Sequence, residues 1–162
     1  MSATVVTPSE FLNWVSDQGV DVIVLDGLPG AGKSHLLKQL GTLAVDLDDF
    51  LPTSETDGEI SWTTLVIGGG ALEAIRRRLD GNRPLVVGGA AASAVLESLL
   101  ADYSALRAYI KRVTQVNGVK SWDDGDGLAA HAIKSPPYFR SIYEFHATEP
   151  WARADLIIER ID

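Results

Sequence analysis

One segment of the chain restricts its fold more than any other, a glycine-rich turn between an apolar run and a helical stretch. Residues 20–25 (Val-Asp-Val-Ile-Val-Leu) are mostly β-branched, which is typical of a strand covered on both faces in a parallel sheet. After the turn, Ser34 to about Leu40 has helical composition and ends at Gly41. This order predicts an α/β unit with its turn at the carboxyl edge of the sheet.

The turn itself matches the pattern G-x-x-x-x-G-K-[ST] in full, reading Gly27-Leu28-Pro29-Gly30-Ala31-Gly32-Lys33-Ser34. Its glycines let the backbone curl so that successive N–H groups point inward at a β-phosphate, beside the positive end of the following helix. The motif predicts that Lys33 reaches the β- and γ-phosphate oxygens and that the Ser34 hydroxyl holds Mg²⁺. We therefore expect these residues, together with the next one, His35, to bind a nucleotide.

The rest of the chain continues the alternation of strands and helices. A capping box at Thr7-Pro8-Ser9-Glu10 begins an N-terminal helix within residues 1–19, and the region from about 112 to 140 is expected to be a lid. Further strands are predicted at 43–47, 85–87, 105–110 and 155–158, and further helices at 62–79, 91–101 and 138–146. The predicted fold is α/β: a single P-loop NTPase domain over 1–162, with a five-stranded parallel sheet flanked by helices.

Composition limits the classes of function. The chain has 162 residues, which suits one domain, and it has no cysteine, which excludes disulfides, thiolate catalysis and cysteine-bound zinc. Its 14 Lys and Arg against 22 Asp and Glu give a net charge of −8, the opposite of the balance usual in nucleic-acid binders. With no secretory signal and no apolar stretch of the ~20 residues that a bilayer span needs, we expect a cytoplasmic protein without a membrane partner.

A cluster of carboxylates follows the second strand. If that strand continues past residue 47, Asp46 and Asp48 share one face while Asp49 points to the other. Ligands of open α/β sheets collect beyond the carboxyl ends of the strands, where the glycine-rich turn also lies. A carboxylate there can deprotonate an acceptor hydroxyl or help to hold magnesium, and Asp48 is the favoured candidate for the base. The alternative is that these three acids are solvated loop residues or helix caps.

These motifs resemble the uridine kinase and nicotinamide riboside kinase branch of the phosphate-loop kinases, which includes bacterial pantothenate kinase. The likeness rests on the turn after Asp26 and on Asp48-Asp49-Phe50 with Pro52, similar to an Asp-x-Phe element whose Asp is base and magnesium contact. Two less specific likenesses are the third strand within Arg83–Gly89 and the tail from Tyr143 to Ile158. The resemblance implies ATP (or GTP) and Mg²⁺ as cofactors, with Ser34, Asp48 and Asp46 around the metal.

The chain departs from that group at two places. Many relatives have a Glu just after the third strand, where Gly88 and Gly89 stand here, so Asp46 or Asp48 would have to take over its magnesium role. The arginine-rich lid is also poorly represented. Arg112 and Arg140 are the candidates for cations that close over the transferred phosphoryl group, and for each a plain surface arginine is the alternative.

Three aromatic residues are candidates for acceptor binding beside Asp48. Trp62 lies in the region where relatives recognise the acceptor, and Trp122 and Tyr138 flank the predicted lid, where they can stack on a base or sugar. Packing of the lid is the alternative role for the latter two. The sequence thus predicts a site in which Lys33, Asp48, Arg112 and Arg140 carry the catalysis.

We expect an ATP-dependent kinase that transfers a γ-phosphoryl group to a hydroxyl of a nucleoside-like or other small acceptor. The expected partners are a nucleoside triphosphate and that acceptor, and a homodimer is left open. One alternative is a kinase acting on a hydroxylated base or end within a polynucleotide, which the net charge of −8 disfavours. A second is a P-loop NTPase or nucleotide sensor that transfers no group to an acceptor.

Overall fold

A single mixed sheet organises the chain. The structure is a computed structural model that describes residues 3–52, 58–81, 83–122 and 134–161. Within these residues the sheet has seven strands in the order β1-β7-β5-β2-β4-β3, with β6 paired to β5. All pairs are parallel except the β5–β6 hairpin. The strands are β1 (Thr4–Val6), β2 (Val22–Asp26), β3 (Ala44–Asp46), β4 (Leu85–Gly89), β5 (Ala105–Val116), β6 (Val119–Trp122) and β7 (Leu156–Ile161).

Helices cover both faces of this sheet. They are α1 (Pro8–Val15), α2 (Lys33–Leu40), α3 (Trp62–Gly68), α4 (Ala71–Leu79), α5 (Ala92–Val95) and α6 (Pro137–Ala147). Three 3₁₀ turns lie at Gly41–Leu43, Leu47–Phe50 and Pro150–Arg153. The capping box predicted for α1 is confirmed, because Thr7 and Glu10 exchange side-chain-to-backbone hydrogen bonds in both directions. No helix among the described residues is both long and apolar enough to cross a bilayer.

The two faces of the sheet bury separate cores. Successive residues of β2 alternate between them, so that Val22 and Val24 pack with α3, α4, α5 and α6, while Ile23 and Leu25 pack with α1 and α2. Every residue of β2 is buried, as expected for a central strand of a parallel sheet. The apolar residues 22–25 therefore lie between the two cores.

The prediction of a five-stranded parallel sheet is correct only in part: the described sheet has seven strands, and one of them, β6, pairs antiparallel with β5. All five predicted strands are present, and the two additional ones are β1 and β6. β1 is only three residues long and is held by its pairing with β7, which no local pattern predicts. β6 closes a hairpin through Asn117 and Gly118, both at positive φ, within the region predicted to be a lid.

Two other elements differ from their predicted extents. Only Ala92–Val95 is helical in the segment predicted as a helix over 91–101, and β5 runs to Val116 rather than ending near 110. The described part of the predicted lid region therefore consists of the end of β5, β6 and the start of α6. Residues 123–133 of that region lie outside the described residues.

The helix predicted over 62–79 is split at its three glycines into α3 and α4. A Cβ atom built on Gly69 would lie 2.0 Å from the carbonyl oxygen of Phe50, so only glycine fits where α3 packs against the Leu47–Phe50 turn. Nothing lies within 4 Å of a Cβ built on Gly68, one residue earlier. The glycine at position 69 thus sets how closely α3 approaches the segment that carries Asp48.

We expect Gly69→Ala to destabilise the fold by about 2–3 kcal/mol, because the backbone of Phe50 has to move to admit the methyl group. Gly68→Ala is the matched control, which we expect to be neutral or stabilising by up to about 1 kcal/mol because it lies at the end of a helix in open space. Urea unfolding of the two variants and the parent measures both free energies. Equal stability of the two variants would contradict the close approach described here.

Candidate functional site

The glycine-rich turn joins the end of β2 to the beginning of α2 at the carboxyl edge of the sheet. Gly30 and Gly32 have φ of +84° and +100°, values that favour glycine, and α2 begins directly after Gly32. The Lys33 ammonium folds back over the turn and donates hydrogen bonds of 2.6 Å and 2.7 Å to the carbonyl oxygens of Gly27 and Leu28. The result is a curled backbone with a helix N-terminus and one lysine at its mouth, which suits an anion.

The surroundings of Lys33 lower the pKa of its ammonium group. Burial lowers the pKa of its ammonium group to about 8, while the carboxylates of Asp48, Asp26 and Asp46 act in the opposite direction. The lysine is therefore partly deprotonated slightly above neutral pH. An incoming anion would favour its charged form.

Ser34 and Asp46 form a pair across the mouth of the turn. The Ser34 hydroxyl donates a 2.7 Å hydrogen bond to one carboxylate oxygen of Asp46, and the other oxygen of Asp46 accepts a 3.0 Å hydrogen bond from the amide of Asp48. β3 ends at Asp46, and residues 47–50 form a 3₁₀ turn. The alternation expected for a longer strand therefore does not apply, and Asp46 instead caps the turn that presents Asp48.

Asp48 is exposed and is positioned by an aromatic side chain. The indole Nε1 of Trp62 donates a 2.9 Å hydrogen bond to Oδ1 of Asp48, while the Trp62 ring itself is buried. A cavity of about 430 Å³ opens over this carboxylate and reaches the glycine-rich turn. It is lined by Pro29, Gly30, Gly32, Lys33, Ser34, His35, Asp48, Trp62, Ala90, Tyr138, Phe139, Ile142 and Arg160.

This cavity brings together part of the predicted site. Lys33, Ser34 and His35 line it beside Asp48, and so do two of the predicted acceptor residues, Trp62 and Tyr138. Burial raises the pKa of the Tyr138 phenol, and the negative charge of Asp48 acts in the same direction. Tyr138 therefore stays protonated and faces the carboxylate as a neutral group.

The remaining predicted residues lie elsewhere. Arg112 and Trp122 line a separate cavity of about 160 Å³ on the other side of the turn, together with Leu28 and Pro29. Trp122 also packs edge-on against Trp151, with ring centroids 4.6 Å apart. Arg140 does not line the cavity over Asp48; its guanidinium donates a 3.0 Å hydrogen bond to the carbonyl oxygen of Ser135.

β4 lies between β2 and β3 and ends in two glycines, Gly88 and Gly89. A Cβ on Gly88 would lie 2.7 Å from a methyl group of Leu37, and a Cβ on Gly89 would lie 2.8 Å from the Trp62 ring. A Glu at either position would displace side chains of the core. Asp46 lies on the neighbouring strand, in register with Gly88.

Two buried polar residues support this edge of the sheet. Asp26 ends β2 and accepts hydrogen bonds from the backbone amide and the hydroxyl of Ser93, and burial raises the pKa of its carboxyl group to about 6. His146 is fully buried, and its Nε2 lies 2.5 Å from the carbonyl oxygen of Ala90 while its Nδ1 lies 2.8 Å from the Tyr109 hydroxyl. Burial lowers the pKa of His146 to about 4, so the imidazole ring is neutral near pH 7. In that neutral form it contacts the carbonyl oxygen of Ala90, a residue that lines the cavity.

Sequence reasoning missed Arg160. It lies near the end of β7, in register with Arg112 of β5, and it lines the cavity beside the turn. A Cβ on Gly32 would lie 2.7 Å from its Nη1, so the guanidinium is packed against the glycine just before Lys33. No local motif marks this arginine, because only the parallel pairing of β5 with β7 brings it to the turn.

The donor set at the turn fits Mg²⁺ that arrives with a nucleotide. In the described part of the chain, no group of three or more His, Cys, Asp and Glu residues is placed so that it could hold a metal ion by itself. Mg²⁺ is commonly bound through one or two carboxylates, waters and substrate phosphates, not by a complete protein cage. The hydroxyl of Ser34 and the carboxylate of Asp46, 2.7 Å apart at their oxygens, are residues that would hold such an ion.

Comparison with known proteins gives no relative from which a function could be transferred. No protein-family model, no curated protein and no solved structure matches the chain. The functional argument therefore rests on the residues of the chain and their geometry.

Proposed function

We propose that the chain is a P-loop NTPase domain that acts as a kinase, transferring the γ-phosphoryl group of ATP or GTP to a hydroxyl of a small molecule. The observation that carries this proposal is the single cavity that joins the glycine-rich turn, with Lys33 and Ser34, to the exposed carboxylate of Asp48. A site that only bound a nucleotide would not need a carboxylate held by Trp62 at its open end. Phosphoryl transfer needs both a phosphate cradle and a group that accepts the proton of the acceptor hydroxyl.

In the proposed mechanism the turn holds the phosphate chain. Backbone N–H groups of residues 30–33, together with the Lys33 ammonium, would bind the β- and γ-phosphates. Ser34 and Asp46 would hold Mg²⁺. The ion supplies charge neutralisation at the phosphates when it is bound. Lys33 would exchange its two hydrogen bonds to backbone carbonyls for hydrogen bonds to phosphate oxygens.

Asp48 would act as the general base. The acceptor hydroxyl loses its proton to the Asp48 carboxylate as its oxygen forms a bond to the γ-phosphorus. The bond between the γ-phosphorus and the bridging oxygen breaks in line, and the nucleoside diphosphate leaves with that oxygen. The hydrogen bond from Trp62 keeps one oxygen of Asp48 occupied and leaves the other for the hydroxyl.

The test is nucleotide consumption with Mg²⁺ in the presence of a panel of acceptors: nucleosides, nucleotides, pantothenate-like alcohols, sugars and hydroxymethylated DNA. We expect one class of acceptor to stimulate release of nucleoside diphosphate. Nucleotide binding without stimulation by any acceptor would favour a nucleotide sensor. Absence of nucleotide binding would contradict the proposal altogether.

The perturbed lysine predicts a pH dependence of nucleotide binding. Because the pKa of Lys33 is lowered to about 8, its positive charge is present below that pH and is lost above it. We therefore expect the affinity for Mg·ADP to fall as pH rises through 8, and binding near pH 8 to take up protons. Titration calorimetry in two buffers of different ionisation enthalpy measures both effects.

Lys33→Arg is the control for this pH dependence, because the guanidinium stays charged across the same range. In that variant the fall in affinity between pH 7 and 9 should disappear, whatever its absolute affinity. Equal pH dependence of the parent and the variant would show that another group controls binding.

A further inference from the structure

A second, apolar cavity of about 300 Å³ adjoins the cavity over Asp48. The two share Tyr138 and Phe139 at the beginning of α6. The other residues that line the second cavity are Leu51, Pro52, Gly58, Leu65 and Pro136. None of these described residues is charged. The volume is at the lower end of the ~300–1,000 Å³ typical of small-molecule sites.

Two aromatic side chains, Tyr138 and Phe139, line both cavities. Tyr138 and Phe139 pack edge to face, with centroids 4.8 Å apart. Phe139 is 43% exposed although it is among the largest apolar side chains of the protein. Exposed aromatic surface that lines a cavity next to a reactive group is a feature of ligand sites more than of lids that are already packed.

The sequence around Asp48 contains acids and no basic residue. From residue 39 to residue 75 the sequence contains no Lys, Arg or His, and it contains seven acids: Asp46, Asp48, Asp49, Glu55, Asp57, Glu59 and Glu73. The basic residues that line the larger cavity are Lys33, His35 and Arg160, and all three belong to or adjoin the glycine-rich turn. On the α6 side the nearest cations in sequence are Lys134 and Arg140, and neither lines the two cavities.

A phosphorylated acceptor would be disfavoured here. Its phosphate would add charge next to Asp48 and to the γ-phosphate of the nucleotide. Among the described residues that line the two cavities, those of α3 and α6 include no cation to neutralise it. Kinases that act on nucleotides or on polynucleotide ends need such a cation, because binding of a phosphate anion is dominated by Lys and Arg.

We propose that the acceptor is an uncharged alcohol with an apolar body, whose hydroxyl lies at Asp48 and whose body occupies the cavity between Tyr138, Phe139 and Leu65. This inference rests on the proposed kinase function and deepens it. It assigns the second cavity to the acceptor, and it excludes nucleotides and polynucleotides as acceptors. The residues that select the substrate are then those of α3 and α6, not those of the turn.

The test uses three hydroxyl compounds of stated chemistry with protein saturated with Mg·ADP. The probes are 1,4-benzenedimethanol, its monophosphate ester and glycerol, and binding is followed by ligand-observed NMR up to millimolar concentration. We expect 1,4-benzenedimethanol to bind at least about tenfold more tightly than either of the others, since one probe carries a phosphate and the other lacks an apolar body.

Three variants test whether 1,4-benzenedimethanol binds in the second cavity. Phe139→Ala removes part of the cavity wall and should weaken binding of 1,4-benzenedimethanol about fivefold or more. Ile67→Ala is the control, because Ile67 is also 43% exposed, lies on α3 and lines neither cavity. Leu65→Arg places a cation in the cavity and should improve binding of the monophosphate about fivefold or more.

The outcomes distinguish a failure of the proposed kinase function from a failure of the inference about the acceptor. Failure of Mg·ADP to bind the parent protein contradicts the kinase function itself. If Mg·ADP binds, then equal or tighter binding of the monophosphate, absence of 1,4-benzenedimethanol binding, or equal effects of Phe139→Ala and Ile67→Ala would each overturn the inference about the acceptor.

Discussion

Lys33→Met is expected to abolish phosphoryl transfer, with a loss of at least about 10³-fold in kcat/KM. The methionine keeps most of the volume of the lysine but cannot donate hydrogen bonds to the phosphates. It also leaves the carboxylates of Asp26, Asp46 and Asp48 without the cation that they share. The measurement is the initial rate of nucleoside diphosphate release with the best acceptor of the panel, together with the affinity for Mg·ADP.

Lys38→Met is the matched control for this substitution. Lys38 lies on the same helix, is exposed and does not line the cavity over Asp48. We expect this variant to keep the activity of the parent within about twofold, because an exposed charge away from the site contributes little. Similar losses in both variants would indicate that α2 as a whole, and not the ammonium at the turn, is needed for activity.

Asp48→Asn is expected to lower kcat by about 10²–10⁴-fold while leaving the affinity for Mg·ADP nearly unchanged. The amide is similar in shape to the carboxylate and can still accept the hydrogen bond from Trp62, but it cannot take the proton of the acceptor. The separation of kcat from nucleotide affinity is what distinguishes a base from a residue that only shapes the cavity.

The adjacent residue provides the control for Asp48. Asp49 has the same side chain, is also exposed and does not line the cavity. Asp49→Asn changes the net charge by the same amount and should leave kcat within about twofold of the parent. Full phosphotransfer by Asp48→Asn would remove the base from the proposed mechanism, as would a loss of equal size in both variants.

The part of the fold that local patterns determine could be predicted from the sequence. Apolar runs gave the five strands that the sheet shares with the prediction, and the capping box at Thr7 gave the beginning of α1. The hairpin of β5 and β6 was also marked locally, because Asn117-Gly118 is a strong two-residue turn signal.

What the sequence could not supply depends on contacts between distant residues. β1 is a strand because β7 is available to pair with it, and Arg160 reaches the turn because β7 lies beside β5. The orientation of Asp48 depends on β3 ending at Asp46 and on the indole of Trp62, 14 residues further on. Such features follow from the arrangement of the sheet, which cannot be predicted from a short segment of sequence.

The position of the candidate site could nevertheless be predicted from the sequence. The carboxyl edge of a parallel sheet collects the residues at and after the ends of its strands. Lys33 and Ser34 after β2, Asp46 at the end of β3 and Asp48 after it were therefore expected to meet there. The structure brings them together around one cavity. It separates from them Arg112 and Trp122, whose predicted roles depended on a lid and not on the sheet.

The most direct test of the kinase proposal is ³¹P NMR of the products formed from Mg·ATP, or from Mg·GTP, with the acceptor panel. The proposal predicts a nucleoside diphosphate and a new phosphomonoester in equal amounts, with neither formed by Lys33→Met. Inorganic phosphate in place of the phosphomonoester would show hydrolysis without transfer. That result, or an unchanged spectrum with every acceptor, would contradict the proposed kinase.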